Sequence, residues 1–253
     1  MLRALYLFLE AKLKERGTKH RTTNPFTDRD FSRIVRRFSF DGSRFGGQQL
    51  ASFLGIEDFG TRIASVWSEL RPATRGLLER AVQANQAGSS PTRNFQYDAR
   101  ADLELSKFLT VLDERVAEKR EGLDAETMTK VRSVADTCAT VLLEKTESAE
   151  VFTQLVRRAS QQRDYKRIDR LADSLNSRFP PSEICELARS EDAIVRELAN
   201  EALARCPLPV LAALLGDPVD SDIARGALRR QVVEYGSEDA RRILSLLDQG
   251  EEI

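Results

Sequence analysis

The residue types that most often carry catalysis or hold metals are scarce in this chain. One of its 253 residues is a histidine, His20, which lies in a polar stretch beside Lys19 and Arg21. Histidine is the usual general base and metal ligand near neutral pH, so a catalytic triad or a metal site would have to recruit it. No H-E-x-x-H, C-x-x-C or nucleophile-elbow motif is present. We therefore predict no catalytic residue, no metal site and no cofactor, and the sequence leans against an enzyme while leaving that question open.

The three cysteines, Cys138, Cys185 and Cys206, occupy apolar positions of predicted helices. Their number is odd and their spacing is wide, which is typical of small buried side chains in a reducing compartment. No segment reaches the roughly 20 apolar residues that a membrane-spanning helix needs. The apolar opening, residues 1–13, is interrupted by Glu10 and Lys12, and no small-residue cleavage site follows it. A docked first helix and a cytoplasmic location are the expectations.

Basic residues form stripes on two predicted helices. One helix begins near Asp28, which is a good N-cap, and carries its arginines roughly opposite an apolar face. The other begins near residue 164 and repeats its cations at intervals of three and four. Such stripes could follow a phosphate backbone or an acidic partner, although solvated arginine-rich faces are common. The candidate binding residues are Arg29, Arg33, Arg36, Arg37, Arg163, Lys166, Arg167 and Arg170.

The elements that would position these residues are all helical. Ala, Leu, Arg and Glu dominate, and runs of alternating β-branched residues are missing. Apolar residues at helical spacing predict helices over Asp58–Leu70, Ala73–Ala84, Ala99–Glu121, about 124–145 and about 148–161. The small, polar segment 86–98 reads as a linker or long loop. We therefore expect an N-terminal helical region over 1–85 and a run of helical hairpins over 99–253.

A repeat of 27 residues marks the last third of the chain. Residues 179–190 align with 206–217 without a gap, and each segment has a Pro at the start of a short helix, then an apolar pair, then a turn. A longer amphipathic helix flanks each copy. A fixed period of this size is typical of stacked helical hairpins, none of which can bury its apolar face alone.

The repeats over 164–248 resemble HEAT-like repeats of the armadillo superfamily. The resemblance rests on the turn Leu214-Leu-Gly-Asp-Pro218 and on Val195-Arg196 and Ala224-Arg225 early in the helices that follow a turn. It implies an all-α fold, a right-handed α-solenoid-like stack of antiparallel hairpins, and structural stacking roles for Asp217, Arg196 and Arg225. The period is shorter than the ~40–47 residues typical of HEAT repeats.

Three functions compete. Stacked hairpins without a credible catalytic set favour a non-catalytic scaffold or adaptor that binds a protein or peptide. Net charges of +6 over 1–47 and +4 over 151–178 keep nucleic-acid binding open, including a HEAT-like DNA glycosylase, although the chain's overall charge is −1. Leucines on the predicted first helix, Leu2, Leu5, Leu9 and Leu13, could instead pack on a membrane or a partner. The oligomeric state stays open.

Overall fold

The chain is helical throughout the residues that the computed structural model describes, which are 54–87, 97–118 and 124–251. A short 3-10 turn, Ile56–Phe59, precedes eleven helices in these ranges, and no strand occurs in them. The predicted all-α class is therefore confirmed. The helices are α1 (Thr61–Glu69), α2 (Pro72–Gln86), α3 (Ala99–Ala117), α4 (Ala125–Lys145), α5 (Ala149–Gln162), α6 (Tyr165–Arg178), α7 (Pro181–Ala188), α8 (Ala193–Ala204), α9 (Leu208–Leu214), α10 (Ser221–Tyr235) and α11 (Glu238–Glu251).

Aspartates begin four of these helices. Each accepts a hydrogen bond from a backbone N–H of the first turn, which would otherwise lack a partner. At α4 the N–H of Thr127 lies 2.6 Å from the Asp124 carboxylate, as the sequence predicts for a cap at that position. The four capping residues are Asp98, Asp124, Asp164 and Asp192.

The predicted helix over Asp58–Leu70 is interrupted near its start. Gly60 adopts φ 116° and ψ 157°, a backbone conformation that side chains exclude and that only glycine adopts readily. The chain therefore makes a 3-10 turn up to Phe59 and starts α1 at Thr61. The apolar spacing alone runs through this break, so periodicity joined two elements that the glycine separates.

Helices contact the helix two places further along the chain, which arranges them in two rows. In the first row α1 packs on α3, α3 on α5, α5 on α7 and α7 on α9. In the second row α2 packs on α4, α6 on α8 and α8 on α10. Hairpin contacts between consecutive helices, such as α3 with α4 and α7 with α8, join the two rows.

The core lies between the rows and is apolar. Leu105, Phe108, Leu109 and Leu112 of α3 have no exposed surface, and they are the stripe that its helical spacing predicts. The Trp67 and Phe108 rings lie 5.3 Å apart between α1 and α3. The ring of Phe152 on α5 lies 5.4 Å from the ring of Phe179, which follows α6. Burial of such side chains is the main favourable contribution to folding.

Polar contacts join α2 to α3 across the segment 88–96, which lies outside the described residues. Arg71 donates two hydrogen bonds to the N-cap Asp98, at 2.6 and 2.9 Å, and a third to Glu104 at 2.9 Å. Thr74 also donates to Glu104. The proposed division at 86–98 stays a prediction, and the predicted elements of residues 1–53 lie outside the described ranges.

Across the described residues, every helix is too short or too polar to cross a membrane. The predicted docked first helix lies in the part of the chain that is not described.

Truncation of one core leucine should destabilise the fold far more than truncation of a surface leucine on the same helix. Leu105 has no exposed surface, whereas Leu103, two residues earlier on α3, is 66 % exposed. We expect Leu105→Ala to lower the free energy of unfolding by about 2–5 kcal/mol and Leu103→Ala to change it by at most about 0.5 kcal/mol. Urea unfolding followed by circular dichroism measures both, and equal losses would contradict the assigned faces of α3.

The stability of the chain should depend on the charge of Asp98 in acid. The hydrogen bond from Arg71, followed by that from the Ala101 N–H, lowers the pKa of Asp98 from 3.8 to about 2. A carboxylate with a lowered folded pKa contributes stability above its unfolded pKa, and this contribution is lost as the pH falls through the folded value. Asp98→Asn keeps a capping side chain but removes the charge.

We therefore expect the urea midpoint of Asp98→Asn to fall less than that of the unmodified chain between about pH 4 and about pH 2, the window set by these pKa values. The exposed Asp169→Asn serves as the control and should follow the unmodified chain. Parallel pH profiles for all three proteins would show that Asp98 is not linked to folding.

Candidate functional site

A cleft runs over the first row between α3 and α5. It has a volume of about 690 Å³ and is lined mainly by polar side chains. Glu114 also borders a space of about 240 Å³ between α1 and α3, and Glu150 and Thr153 also border one of about 350 Å³ between α5 and α7. Because neighbouring spaces share lining residues, they form one surface, the first-row cleft, that crosses four helices.

The floor of the first-row cleft is a hydrogen-bonded contact between α3 and α5. The Gln154 side-chain amide donates to the Ser106 carbonyl at 3.1 Å and to the Thr110 hydroxyl at 2.9 Å. In return the Ser106 hydroxyl donates to the Gln154 side-chain oxygen at 2.6 Å. These bonds occupy both donors of the amide and fix its orientation. The cleft therefore presents polar groups at positions set by two helices.

One wall of the cleft contains a buried arginine. Arg158 is 7 % exposed, and its Nε donates to both carboxylate oxygens of Asp113 at 2.9 and 3.0 Å. Its remaining nitrogens donate to Asp136 of α4 at 2.9 Å and to Gln162 at 3.2 Å. Burial raises the pKa of Asp113, and the Arg158 charge opposes that rise. Arg158 thus joins α3, α4 and α5 at one point.

The rim of the cleft carries charges that remain accessible. The exposed Arg62 pairs with the exposed Glu114 at 2.8 Å, and the exposed Arg157 pairs with the half-buried Asp192 at 3.2 Å. Exposed pairs of this kind contribute at most about 1 kcal/mol, so a ligand can replace either partner at small cost. Glu150 is exposed between two parts of the cleft and makes no ion pair within the described ranges.

The predicted basic stripe near residue 164 is divided by the structure. Arg163 precedes α6 and adopts a left-handed backbone conformation, with φ 55°. Lys166 and Arg170 are exposed, whereas the Arg167 side chain is only 14 % exposed. Arg167 turns toward α4, where it lies 3.9 Å from Asp136, and it also lies 3.5 Å from Asp164. Arg167 is thus drawn inward, while its three neighbours stay on the surface.

The other predicted stripe, Arg29, Arg33, Arg36 and Arg37, lies outside the described residues, as does His20. The first-row cleft was not predicted. A signal for it is present in the uncharged polar residues of α3 and α5, Ser106, Thr110, Thr153 and Gln154, which recur on one face of each helix. Such residues are less common than Lys and Glu on fully solvated helix faces.

The thiols of the described region are poorly suited to nucleophilic chemistry. Cys138, Cys185 and Cys206 are free and buried. Burial raises the pKa of all three, that of Cys185 to about 12, so the reactive thiolate is scarce near neutral pH. Within the described ranges no three His, Cys, Asp or Glu side chains come together as a metal site.

Removal of Gln154 should loosen the floor of the first-row cleft. Gln154→Ala removes three hydrogen bonds between α3 and α5, each of which contributes about 0.5–1.5 kcal/mol. Because the contact is only half-buried, we expect the free energy of unfolding of this variant to fall by about 1–3 kcal/mol, somewhat less than the sum of the three bonds. Gln161→Ala is the matched control, because Gln161 is an exposed glutamine of the same helix and cleft. A loss in the control as large as in Gln154→Ala would contradict this assignment.

Comparisons of the chain with protein-family models, with curated protein sequences and with solved structures find no match. The resemblance to HEAT-like repeats therefore stays a prediction. The first-row cleft, of about 690 Å³, is a cavity whose polar groups are held in place by hydrogen bonds between two helices.

Proposed function

We propose that this protein is a non-catalytic scaffold or adaptor that binds an extended segment of a partner protein in the first-row cleft. The observation that carries the proposal is the continuity of the cleft, since shared lining residues join its three spaces from α1 to α7. Grooves between successive helices of a stack are a common way for helical-repeat proteins to bind peptides.

The size of the cleft suits a peptide. Packed helices lie about 8–10 Å apart, so a cleft that crosses from α1 to α7 is about 24–30 Å long. At about 3.3 Å per residue, this length accepts roughly eight residues of extended chain. The hydroxyl and amide donors of the floor are used within the protein, so their oxygens can accept hydrogen bonds from the N–H groups of a peptide backbone, while the rim charges can select its side chains.

We further propose that the two rows form a right-handed, HEAT-like α-solenoid. The contacts between alternate helices support this arrangement, as does the 27-residue offset between the starts of α7 and α9. Arg196 donates to the backbone oxygens of Ser190 and Glu191, at 2.8 and 3.3 Å. Asp217 accepts a hydrogen bond from the Val219 N–H at 2.8 Å. Such contacts fix the turns within successive hairpins, between α7 and α8 and between α9 and α10, in line with the structural roles that the resemblance implies for Arg196 and Asp217.

We place the protein in the cytoplasm. Three free, buried cysteines support a reducing compartment, where structural disulfides are rare.

A photo-crosslinker in the cleft should capture the partner. Thr110 is exposed in the widest part of the cleft, so benzoylphenylalanine in its place would touch a bound segment. We expect irradiation in cells to yield one defined crosslinked protein species. The same group at Arg229, an exposed position of α10 in the second row, should not yield it.

A second substitution tests whether the captured protein occupies the cleft. Thr110→Arg fills the space between α3 and α5, so in a chain with the crosslinker at Thr153, which lines the same space, it should abolish the crosslink. Loss of the hydrogen bond from Gln154 to Thr110 should lower the free energy of unfolding by only about 0.5–1.5 kcal/mol, so the protein stays folded. Capture that survives Thr110→Arg, or that is equally strong from position 229, would refute binding in the cleft.

A further inference from the structure

Close contacts between α4 and α6 are fewer than those between the other neighbouring helices of the second row, α2 and α4, α6 and α8, and α8 and α10. At the end of α6 the Arg178 guanidinium donates a hydrogen bond to the Leu143 carbonyl of α4. Near the start of α6 the link is the ion pair at 3.9 Å between Asp136 and Arg167. We term the surface between α4 and the start of α6 the arginine groove.

Arginines surround this groove. Arg158 and Arg167 lie at its base, with side chains 8 % and 14 % exposed. Three more belong to the segments that border it, Arg132 on α4, Arg163 before α6 and Arg170 on α6, and all three are exposed. Arg132 precedes Asp136 by one helical turn and so lies on the same face of α4, with Cβ atoms about 5–6 Å apart.

The acidic groups that face the groove do not balance these cations. Asp136 is shared by Arg158 and Arg167, Asp113 is engaged with Arg158, and Asp164 caps α6. Arg132, Arg163 and Arg170 make no ion pair within the described part of the chain. Five arginines thus face three aspartates. The two exposed acids of α6, Asp169 and Asp173, lie with Lys166 on the next stripe of the helix, further from α4.

The pKa and the hydrogen bonding of Arg167 are affected by burial and by the neighbouring positive charges. Burial lowers its pKa, and the neighbouring charges of Arg158 and Arg170 lower it further, against the opposing effects of Asp136 and Asp164. Its buried Nη1 atom donates no hydrogen bond within the described residues, and the Asp136 oxygen lies 3.9 Å away. An anion at the groove would supply the missing negative charge.

We propose that the arginine groove binds the phosphate backbone of a nucleic acid. Arginine is the preferred residue for phosphate contacts because its planar fork matches two phosphate oxygens and its charge is permanent. The three exposed arginines, spread over two helices, suit a chain of phosphates better than a single anion. With no described base-reading element, the groove would recognise the backbone and not the sequence. The exposed arginines of this site lie apart from the first-row cleft, with which the site shares the buried Arg158, and the proposal does not depend on the function of the cleft.

The salt dependence of binding tests this proposal. Binding of the full-length chain to a fluorescent 20-nucleotide DNA strand, and to the corresponding duplex, is followed by anisotropy between 50 and 200 mM salt, roughly the range over which phosphate contacts weaken steeply. Three phosphate contacts predict a log–log slope of about −2 for the single strand or about −3 for the duplex. Whichever form binds more tightly identifies the natural class of ligand.

Charge reversal locates the contact. Arg132→Glu and Arg170→Glu should each weaken binding by about tenfold and make the slope shallower by about one. Arg229→Glu is the matched control, since Arg229 is an exposed arginine of the second row on α10 and the variant has the same net charge. Thr110→Arg in the first-row cleft should not weaken binding. Melting temperatures of all variants confirm that they remain folded.

Several outcomes would overturn the proposal. Binding that is insensitive to salt would exclude phosphate contacts. A control Arg229→Glu that loses as much affinity as Arg170→Glu would show a general effect of net charge. Competition by an oligoglutamate peptide at the same charge concentration as the DNA would assign the groove to an acidic protein segment instead.

Discussion

The buried guanidinium of Arg158 is the contact on which both surfaces of the protein depend. It joins Asp113 of α3, Asp136 of α4 and Gln162 of its own helix through hydrogen bonds of 2.9–3.2 Å. Removal of a charge from water costs several kcal/mol, by order of magnitude, and is offset only when the geometry is good and the remaining donors are satisfied. Arg158 meets this condition with three partners. It therefore fixes the relative positions of α3, α4 and α5, which form the wall of the first-row cleft on one side and border the arginine groove on the other.

The same contact determines which charges are left for ligands. Asp113 lines the cleft, but it is paired with Arg158. The charges left to contact a bound peptide are therefore Glu150 and the ion pairs of the rim. Asp136 has to serve both Arg158 and Arg167, and one carboxylate cannot neutralise two guanidinium groups. Positive charge is therefore left over in the second row. One buried arginine thus gives the two rows different electrostatic character, although the chain as a whole is nearly neutral.

Local features of the sequence were enough to predict the helices. The first-row cleft was not predicted because it depends on contacts between residues far apart in the sequence. The cap at Asp124, the prolines that begin the repeats and the core stripe of α3 depend on neighbours within a few residues, so they can be recognised without a structure. The first-row cleft depends on the contacts of Gln154 with Ser106 and Thr110, which lie 48 and 44 residues away in the sequence, respectively. Spacing on one helix does not show which distant helix it faces.

The exposure of the basic residues near position 164 also depends on contacts that their spacing does not reveal. Helical spacing predicts that Arg163, Lys166, Arg167 and Arg170 share an outer surface. In the structure Arg163 lies just before α6, and three of the four are exposed. Arg167 turns inward because Asp136, on a different helix, offers an opposite charge at the edge of the core. A sequence pattern can thus identify cationic residues, but their availability to a ligand depends on which acids the fold brings near them.

The first-row cleft and the arginine groove can act independently because the stability of the chain comes mainly from its apolar core. The core between the rows is apolar, and many of its large side chains have no exposed surface. Exposed ion pairs add little to stability, and substitutions that are more than about 7–10 Å apart and share no partner act nearly independently. The exposed residues of the cleft and of the groove share no hydrogen-bond or ion-pair partner with each other in the described residues. Arg158, which contacts both sites, is the exception, and its loss would couple changes in the cleft to changes in the groove. A partner protein and a nucleic acid could therefore bind this chain at the same time without competing for the same side chains.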